Sequence, residues 1–224
     1  MELDIDYEVI KSRHSVRQYL DKPLPTKLVE ELNKYVDTCN LESGLHMQLV
    51  TNEPNAYARS FWANYGKFSG VANYICLVGN KDSDEMLGYY GEILTLKAQQ
   101  LGLNTCWCGL CFSKKNARFT LDNGERLRGL IALGYGTTQG VKSKDKRPEQ
   151  ICRGVALAPN WFRKGVECAL LAPSALNQQR FRFEYVAGTQ VRATTALTPY
   201  GTMDLGIAKL HFELGARPVR VEWV

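Results

Sequence analysis

The chain has 224 residues, 45% of them hydrophobic, which is enough to bury one full core as a single domain. A net charge of +5 is too small and too dispersed to argue for nucleic acid, but it suits an anionic small ligand. No apolar stretch approaches the roughly 20 residues needed to cross a bilayer, the acidic start Met1 to Tyr7 is unlike a signal peptide, and an odd seven cysteines point to reduced thiols in a cytoplasm.

The first informative stretch is Lys11-Ser12-Arg13-His14-Ser15-Val16-Arg17. Arg13 and Arg17 stand four apart, so on a helix they share a face, with the Ser15 hydroxyl beside them. Two guanidinium forks and a hydroxyl suit a phosphate group. The competing reading is a solvated basic face, the commoner meaning of such a charge pattern. Leu28 to Val50 then reads as helix, turn and strand, the strand being His46-Met47-Gln48-Leu49-Val50. Tyr74 to Val78 is an apolar strand, and Glu92 to Leu103 a long helix. In a strand over Thr105-Cys106-Trp107-Cys108-Gly109, Cys106 and Cys108 point to one side and Trp107 to the other. Cys106, Cys108 and Cys111 invite a metal reading, but three thiolates are one short of the usual four. Cysteine is also among the most buried residue types, so structural burial is preferred and no metal is expected.

The basic run Lys142, Lys144, Lys146 and Arg147 reads either as a solvated loop or as an anion contact. Trp161 to Leu171 is helix-like, and Pro173 cannot continue it. Ser174, Asn177 and Gln179 crowd hydroxyl and amide groups into the turn that follows. Such a turn either hydrogen-bonds a planar, heteroatom-rich ligand or simply ends the helix. A strand-like run from Arg182 to Val186, a helix from Tyr200 to Gly215 and an alternating Pro218 to Val224 complete the chain. Helical patterns alternating with short β-rich runs make α/β or α+β the natural class. Of the three histidines, His14 belongs to the phosphate-like stretch and His46 reads as structural. His211 shares a helix face with Asp204 as a half-buried polar residue. No Ser-His-Asp pattern, Walker loop or paired Gly-x-Gly-x-x-Gly is visible, so hydrolase and P-loop readings drop out.

Together these segments resemble the FMN-dependent nitroreductase family. Arg13-His14-Ser15-Val16-Arg17 is similar to its Arg-[Arg/His]-Ser-x-[Arg/Lys] signature on the first helix. Ala172-Pro173-Ser174-Ala175-Leu176-Asn177-Gln178-Gln179 resembles its Ala-Pro-Ser-x-x-Asn-x-Gln turn. Asn64-Tyr65-Gly66-Lys67 is similar to the Asn-x-x-Lys ahead of its central strand, and Gly102 to Gly109 to its Gly-Leu-Gly-x-x-x-x-Gly element. Arg128 to Gly136 resembles the late strand ending in Leu-Gly-Tyr, and Lys144 to Pro148 the basic segment after it. One departure stands out. In the common layout the Pro-Ser-x-x-Asn turn follows the first helices, where this chain has Asp37 to Gly44. Here the turn lies in a C-terminal tail, which resembles the Thermotoga-type branch of the family.

The resemblance implies an α+β (α/β sandwich) fold with a central, mainly antiparallel sheet flanked by helices. It implies an FMN whose phosphate meets Arg13, His14, Ser15 and Arg17, with Lys144 and Lys146. Asn64 and Lys67 would meet the pyrimidine edge, the backbone at Cys108 and Gly109 would approach N5, and Pro173, Ser174, Ala175 and Asn177 would pack along the ring. Lys67 and Gly109 would carry the catalytic roles, one by stabilising negative charge and the other by allowing a close approach. NADH or NADPH is the implied donor, in a ping-pong hydride transfer to a nitroaromatic, quinone or related small acceptor. A non-catalytic flavin carrier or sensor is the alternative. Neither nucleic acid nor a membrane is an expected partner.

The tail also looks like a partial second copy. Leu28 to Val50 is echoed by Trp161 to Val186, and Tyr90 to Gly102 by Tyr200 to Gly215, with apolar residues at helical spacing and an ending near Gly. The expected organisation is one domain over 1–224, with residues 1–154 as the main flavin-binding half and 155–224 as a half-copy completing the site. Such a pseudo-dimer within one chain would suffice as a monomer, and a homodimer stays open.

Overall fold

The run Asn73-Tyr74-Ile75-Cys76-Leu77-Val78-Gly79 has no exposed residue, so it can only be an interior strand. It is β2 (Asn73–Gly79) of a four-stranded antiparallel sheet in the order β1-β2-β4-β3, with β1 Gln48–Val50, β3 Asn104–Cys108 and β4 Arg126–Gly134. The computed structural model describes residues 4–58, 66–154 and 158–224. These fall into two units, each with its own sheet and core.

The first unit comprises Met1–Asp4, Ser12–Ser83 and Ile93–Lys142. Its main helix before the sheet is α2 (Thr26–Ser43), which buries Leu32, Val36 and Cys39 at the spacing of one helical face. Asn40 of α2 clamps the chain at the start of β1. Its amide donates to Met47 O at 2.8 Å and its carbonyl oxygen accepts from Met47 N–H at 2.9 Å. One core layer gathers Val16, Tyr19, Tyr57, Tyr74, Cys108 and Leu130.

The second unit comprises Ile5–Lys11, Asp84–Glu92 and Ser143–Val224. It takes most of α1 (Tyr7–Ser12) and the first half of α3 (Asp84–Gln100). It also contains α4 (Pro148–Ile151), α5 (Asn160–Ala169) and α6 (Gly201–Ala216). Its sheet runs β5-β6-β7-β8, with β5 Cys152–Arg153, β6 Phe181–Ala187, β7 Gln190–Thr195 and β8 Glu222–Trp223. The central pair is antiparallel and both outer pairs are parallel. The α+β class therefore holds, with the strands divided between two sheets.

α6 is buried along most of its length, as a largely apolar helix with no broad polar face must be. Phe212 of α6 meets Phe183 at 4.8 Å, Phe162 at 5.3 Å and Trp223 at 5.5 Å between ring centroids. Glu213 accepts from Trp223 Nε1 and from Tyr89 Oη, each at 2.6 Å, which ties β8 and α3 to the same helix. α3 and α6 also approach backbone to backbone. A Cβ on Gly88 would lie 2.0 Å from Met203 O, and one on Gly206 would lie 1.9 Å from Glu85 O. Each helix thus sets a glycine against a carbonyl three residues ahead of the other helix's glycine. The echo between these helices was aligned in the sequence through Tyr90 and Tyr200; the reciprocal contact pairs Gly88 with Gly206.

Candidate functional site

α1 ends at Ser12, so the stretch carrying the two arginines is not helical. Residues 13–19 are extended because neighbouring backbone takes their hydrogen bonds. Val16 N–H donates to Thr105 O at 3.0 Å, Ser69 N–H to Arg17 O at 3.0 Å and Tyr19 N–H to Ser69 O at 3.0 Å. Ser15 bridges to Thr105 of β3, and the Tyr19 hydroxyl donates back to Val16 O at 2.7 Å. The shared helical face expected for Arg13 and Arg17 is therefore corrected: they stand on a non-helical segment held by isolated bridges at Ser15, Gln18 and Tyr19. Burial recurs every third residue, at Arg13, Val16 and Tyr19, with Val16 and Tyr19 in one core cluster, Ser15 half-buried and Arg17 exposed.

Electrostatics locates that segment. The Cys106 thiol of β3 is pulled down to about 7, first by a hydrogen bond from Cys108 and then by Arg17, Ser15 and Arg13, against the effect of burial. Arg13, Ser15 and Arg17 thus all act on one sulfur. Arg13 is buried, Ser15 and His14 are half-buried, and Arg17 is exposed. Thr105, the residue that bridges to Ser15, has a buried Oγ1 with no hydrogen-bond partner among the described residues. A cluster of two guanidiniums and two hydroxyl-bearing residues at a strand edge fits the phosphate of a small ligand.

Lys67 stands just ahead of a backbone pairing with this segment. It is exposed, has a positive φ of 55° and precedes by two residues the Ser69 that pairs with Arg17. Gly66 lies against Cys111 and Phe68, and Phe68 packs on Tyr57 at 5.1 Å. Cys108 is the last paired residue of β3, opposite Leu130, and Gly109 follows it, half-buried. Burial holds the Cys108 thiol well above its ordinary value. Asn64, with Trp62 and Tyr65, lies outside the described residues.

In the second unit, the turn after α5 is held from several directions. Leu176 and Asn177 both have φ of 52° and Gln179 has 42°, so three non-glycine residues sit in the left-handed region. Ala175 N–H donates to both carboxylate oxygens of Asp204 at 3.0 Å. Gln179 N–H donates to Ser174 Oγ at 2.9 Å, and the buried Gln179 side chain donates to Leu170 O at 2.7 Å. Asn177 Nδ2 donates to Lys144 O at 3.0 Å, and the Lys146 ammonium to Gln179 O at 2.9 Å. Desolvation, then Arg182 and Arg180, lowers the Lys146 pKa.

The chain matches the family described as "Putative TM nitroreductase" over residues 6–216. It belongs to that family. A structure described as a putative nitroreductase from Thermotoga maritima aligns over 97% of this chain and 86% of its own, with TM-score 0.68 and 24% identity. A structure from Desulfovibrio desulfuricans, described as a putative nitroreductase in complex with FMN, aligns over 64% of this chain and 93% of its own, with TM-score 0.50 and 16% identity. These likenesses establish the nitroreductase fold. No curated protein matches the chain.

For this nitroreductase-family chain, Arg13, Ser15, Arg17 and Cys108 of the first unit all act on Cys106, His14 and Gly109 are their chain neighbours, and in the second unit Lys144 and Lys146 are bonded to Asn177 and Gln179 of the turn that holds Pro173, Ser174 and Ala175. Asp204 was noted in the sequence only as sharing a face with His211. It is 7% exposed and holds the turn, while His211 is wholly buried against Glu92 Oε1 at 2.9 Å. An acidic residue in the first turn of a largely apolar helix was the available signal for Asp204. Phe181, which follows the turn, is fully buried. All seven cysteines are free, and among the described residues Cys106, Cys108 and Cys111 do not converge as a metal-ligand group. Among those residues no helix is long and apolar enough to cross a membrane.

Proposed function

We propose that this chain is an FMN-dependent oxidoreductase acting on a small acceptor in a cytoplasm. The observation that carries the reading is the convergence of Arg13, Ser15 and Arg17 on the Cys106 edge of β3. Family membership and the FMN named for the Desulfovibrio structure support it.

Arg13 and Arg17 would hold the phosphate by charge-assisted bonds, with the Ser15 hydroxyl as a further donor. Arg13, being buried, would act in a low-dielectric surrounding where its charge is screened least. Lys67 would sit beside the pyrimidine edge and stabilise negative charge there, and Gly109 would leave room for close backbone approach. The resemblance also assigns flavin contacts to Lys144, Lys146, Pro173, Ser174, Ala175 and Asn177. When bound, FMN supplies hydride acceptance from NADH or NADPH and electron delivery to a nitroaromatic, quinone or related acceptor.

The test is to purify the full chain, measure its flavin content, and add NADH or NADPH without oxygen. Bleaching of bound flavin supports the oxidoreductase; flavin that binds and stays oxidised points to a carrier or sensor. Arg17 is exposed, so Arg17→Ala leaves the core intact. It is expected to weaken FMN binding by about 1–3 kcal/mol, and unchanged flavin affinity would remove Arg17 from the site.

A further inference from the structure

A second cluster of ligand-forming atoms lies in the first unit and has no part in the flavin reading. His46 Nδ1 and one carboxylate oxygen each from Asp122 and Glu125 all lie within 4.8 Å of one another. His46 Nδ1 and Glu125 Oε2 are 2.8 Å apart. We propose that His46, Asp122 and Glu125 form a surface site for a zinc-class divalent cation.

The backbone places these groups before any cation arrives. His46 is fixed just ahead of β1, where its N–H donates to Val78 O at 3.1 Å. Asp122-Asn123-Gly124-Glu125 is a tight turn closed by Glu125 N–H on Asp122 O at 3.1 Å, with Gly124 at φ 86°. Asp122 N–H donates to Glu125 Oε2 at 2.7 Å, which orients that carboxylate.

The donor set selects the metal. Ligands about 2.0–2.2 Å from a tetrahedral zinc stand roughly 3.4 Å from each other, so the 4.8 Å spread has to close by about 1.4 Å at most while the His46–Glu125 pair, at 2.8 Å, opens slightly. One imidazole with two carboxylates suits zinc, cobalt or nickel; magnesium and calcium prefer oxygen alone. Access is open, because Asp122 is exposed and the His46 side chain is 32% exposed while Glu125 is held at 10%. Water would complete the coordination.

The test titrates zinc chloride into metal-free full-length protein by calorimetry, and repeats the titration with cobalt while recording the visible spectrum. One saturable equivalent is expected, with weak nitrogen–oxygen ligand-field bands and no sulfur charge-transfer band. Affinity should fall by about tenfold or more in His46→Gln and in Asp122→Asn. Asp122→Asn changes an exposed turn residue and keeps the proposal testable even if His46→Gln is unstable. No saturable uptake, a thiolate spectrum, or equal affinity in Asp122→Asn would overturn it.

Discussion

Burial pushes the thiols of Cys39, Cys76 and Cys168 up to about 12 and also raises those of Cys108, Cys111 and Cys152. Cys106 alone moves down, to about 7, because Cys108, Arg17, Ser15 and Arg13 favour its thiolate. Its folded value lies below the unfolded one, so its contribution to stability is complete above about pH 9 and is lost as pH falls through about 7. Ultraviolet titration should therefore show a single-thiol step near pH 7 that is missing in Cys106→Ser. Under the proposed function, a saturating phosphate-bearing flavin brings a competing anion to the same arginines and should move that step upward.

Asp204 gives the opposite sign. Burial raises its carboxyl to about 7, and the Ala175 N–H only partly offsets this. A folded pKa above the unfolded value means the stability it contributes is full below about pH 4, declines as pH rises to about 7, and is level beyond. Asp204→Asn keeps an oxygen for Ala175 without the buried charge. It should remove that slope and stabilise the chain at pH 8 by roughly 1–3 kcal/mol in urea denaturation. At this scale the sequence was half legible. The four-residue spacing of Arg13 and Arg17 was read as a helical face, but the segment after Ser12 is not helical because its backbone bonds go to Thr105 and Ser69, partners that lie far off in the sequence. The partner of Ala175 lies 29 residues away in sequence, and no local pattern records such a bond.

Elements defined by one face were readable from spacing alone. α2, α5 and α6 stand close to their expected ranges because apolar periodicity and nearby Gly or Pro mark them. α3 begins at Asp84, well before Glu92, since Gly88 and Gly91 interrupt its pattern of strong helix formers. Gly88 makes sense only against α6. In an open helix, Gly→Ala gains about 1 kcal/mol. Here the added methyl would lie about 2 Å from a backbone carbonyl of the facing helix, a group that cannot rotate aside. Gly88→Ala and Gly206→Ala should each destabilise by about 1–3 kcal/mol or more. Because each forces the same two helices apart, the double variant should lose less than the sum. A gain in stability for either single variant would contradict the close crossing.

At the scale of the whole chain, the sequence showed that strands and helices alternate but not that the strands form two sheets. Pairing partners such as Asn73 and Leu133 are set by contacts far apart in sequence, and strand pattern does not name its neighbour. The α+β class and the family were nevertheless legible, because the motifs recur in order along the chain. The two units differ in what they offer an anion. The first carries Arg13, Ser15 and Arg17, which all act on Cys106. The second has its own sheet and the turn held by Asp204, but its sequence contains no second Arg-His-Ser-x-Arg and no second Asn-x-x-Lys. The motif that the proposed function sets at the phosphate therefore occurs once in the sequence, and that reading predicts one FMN per chain. Saturating flavin should raise the melting temperature with a concentration dependence fitting a single site. Fluorescence titration of metal-free apoprotein checks the count directly, and two equivalents per polypeptide would mean that the tail carries a flavin site of its own.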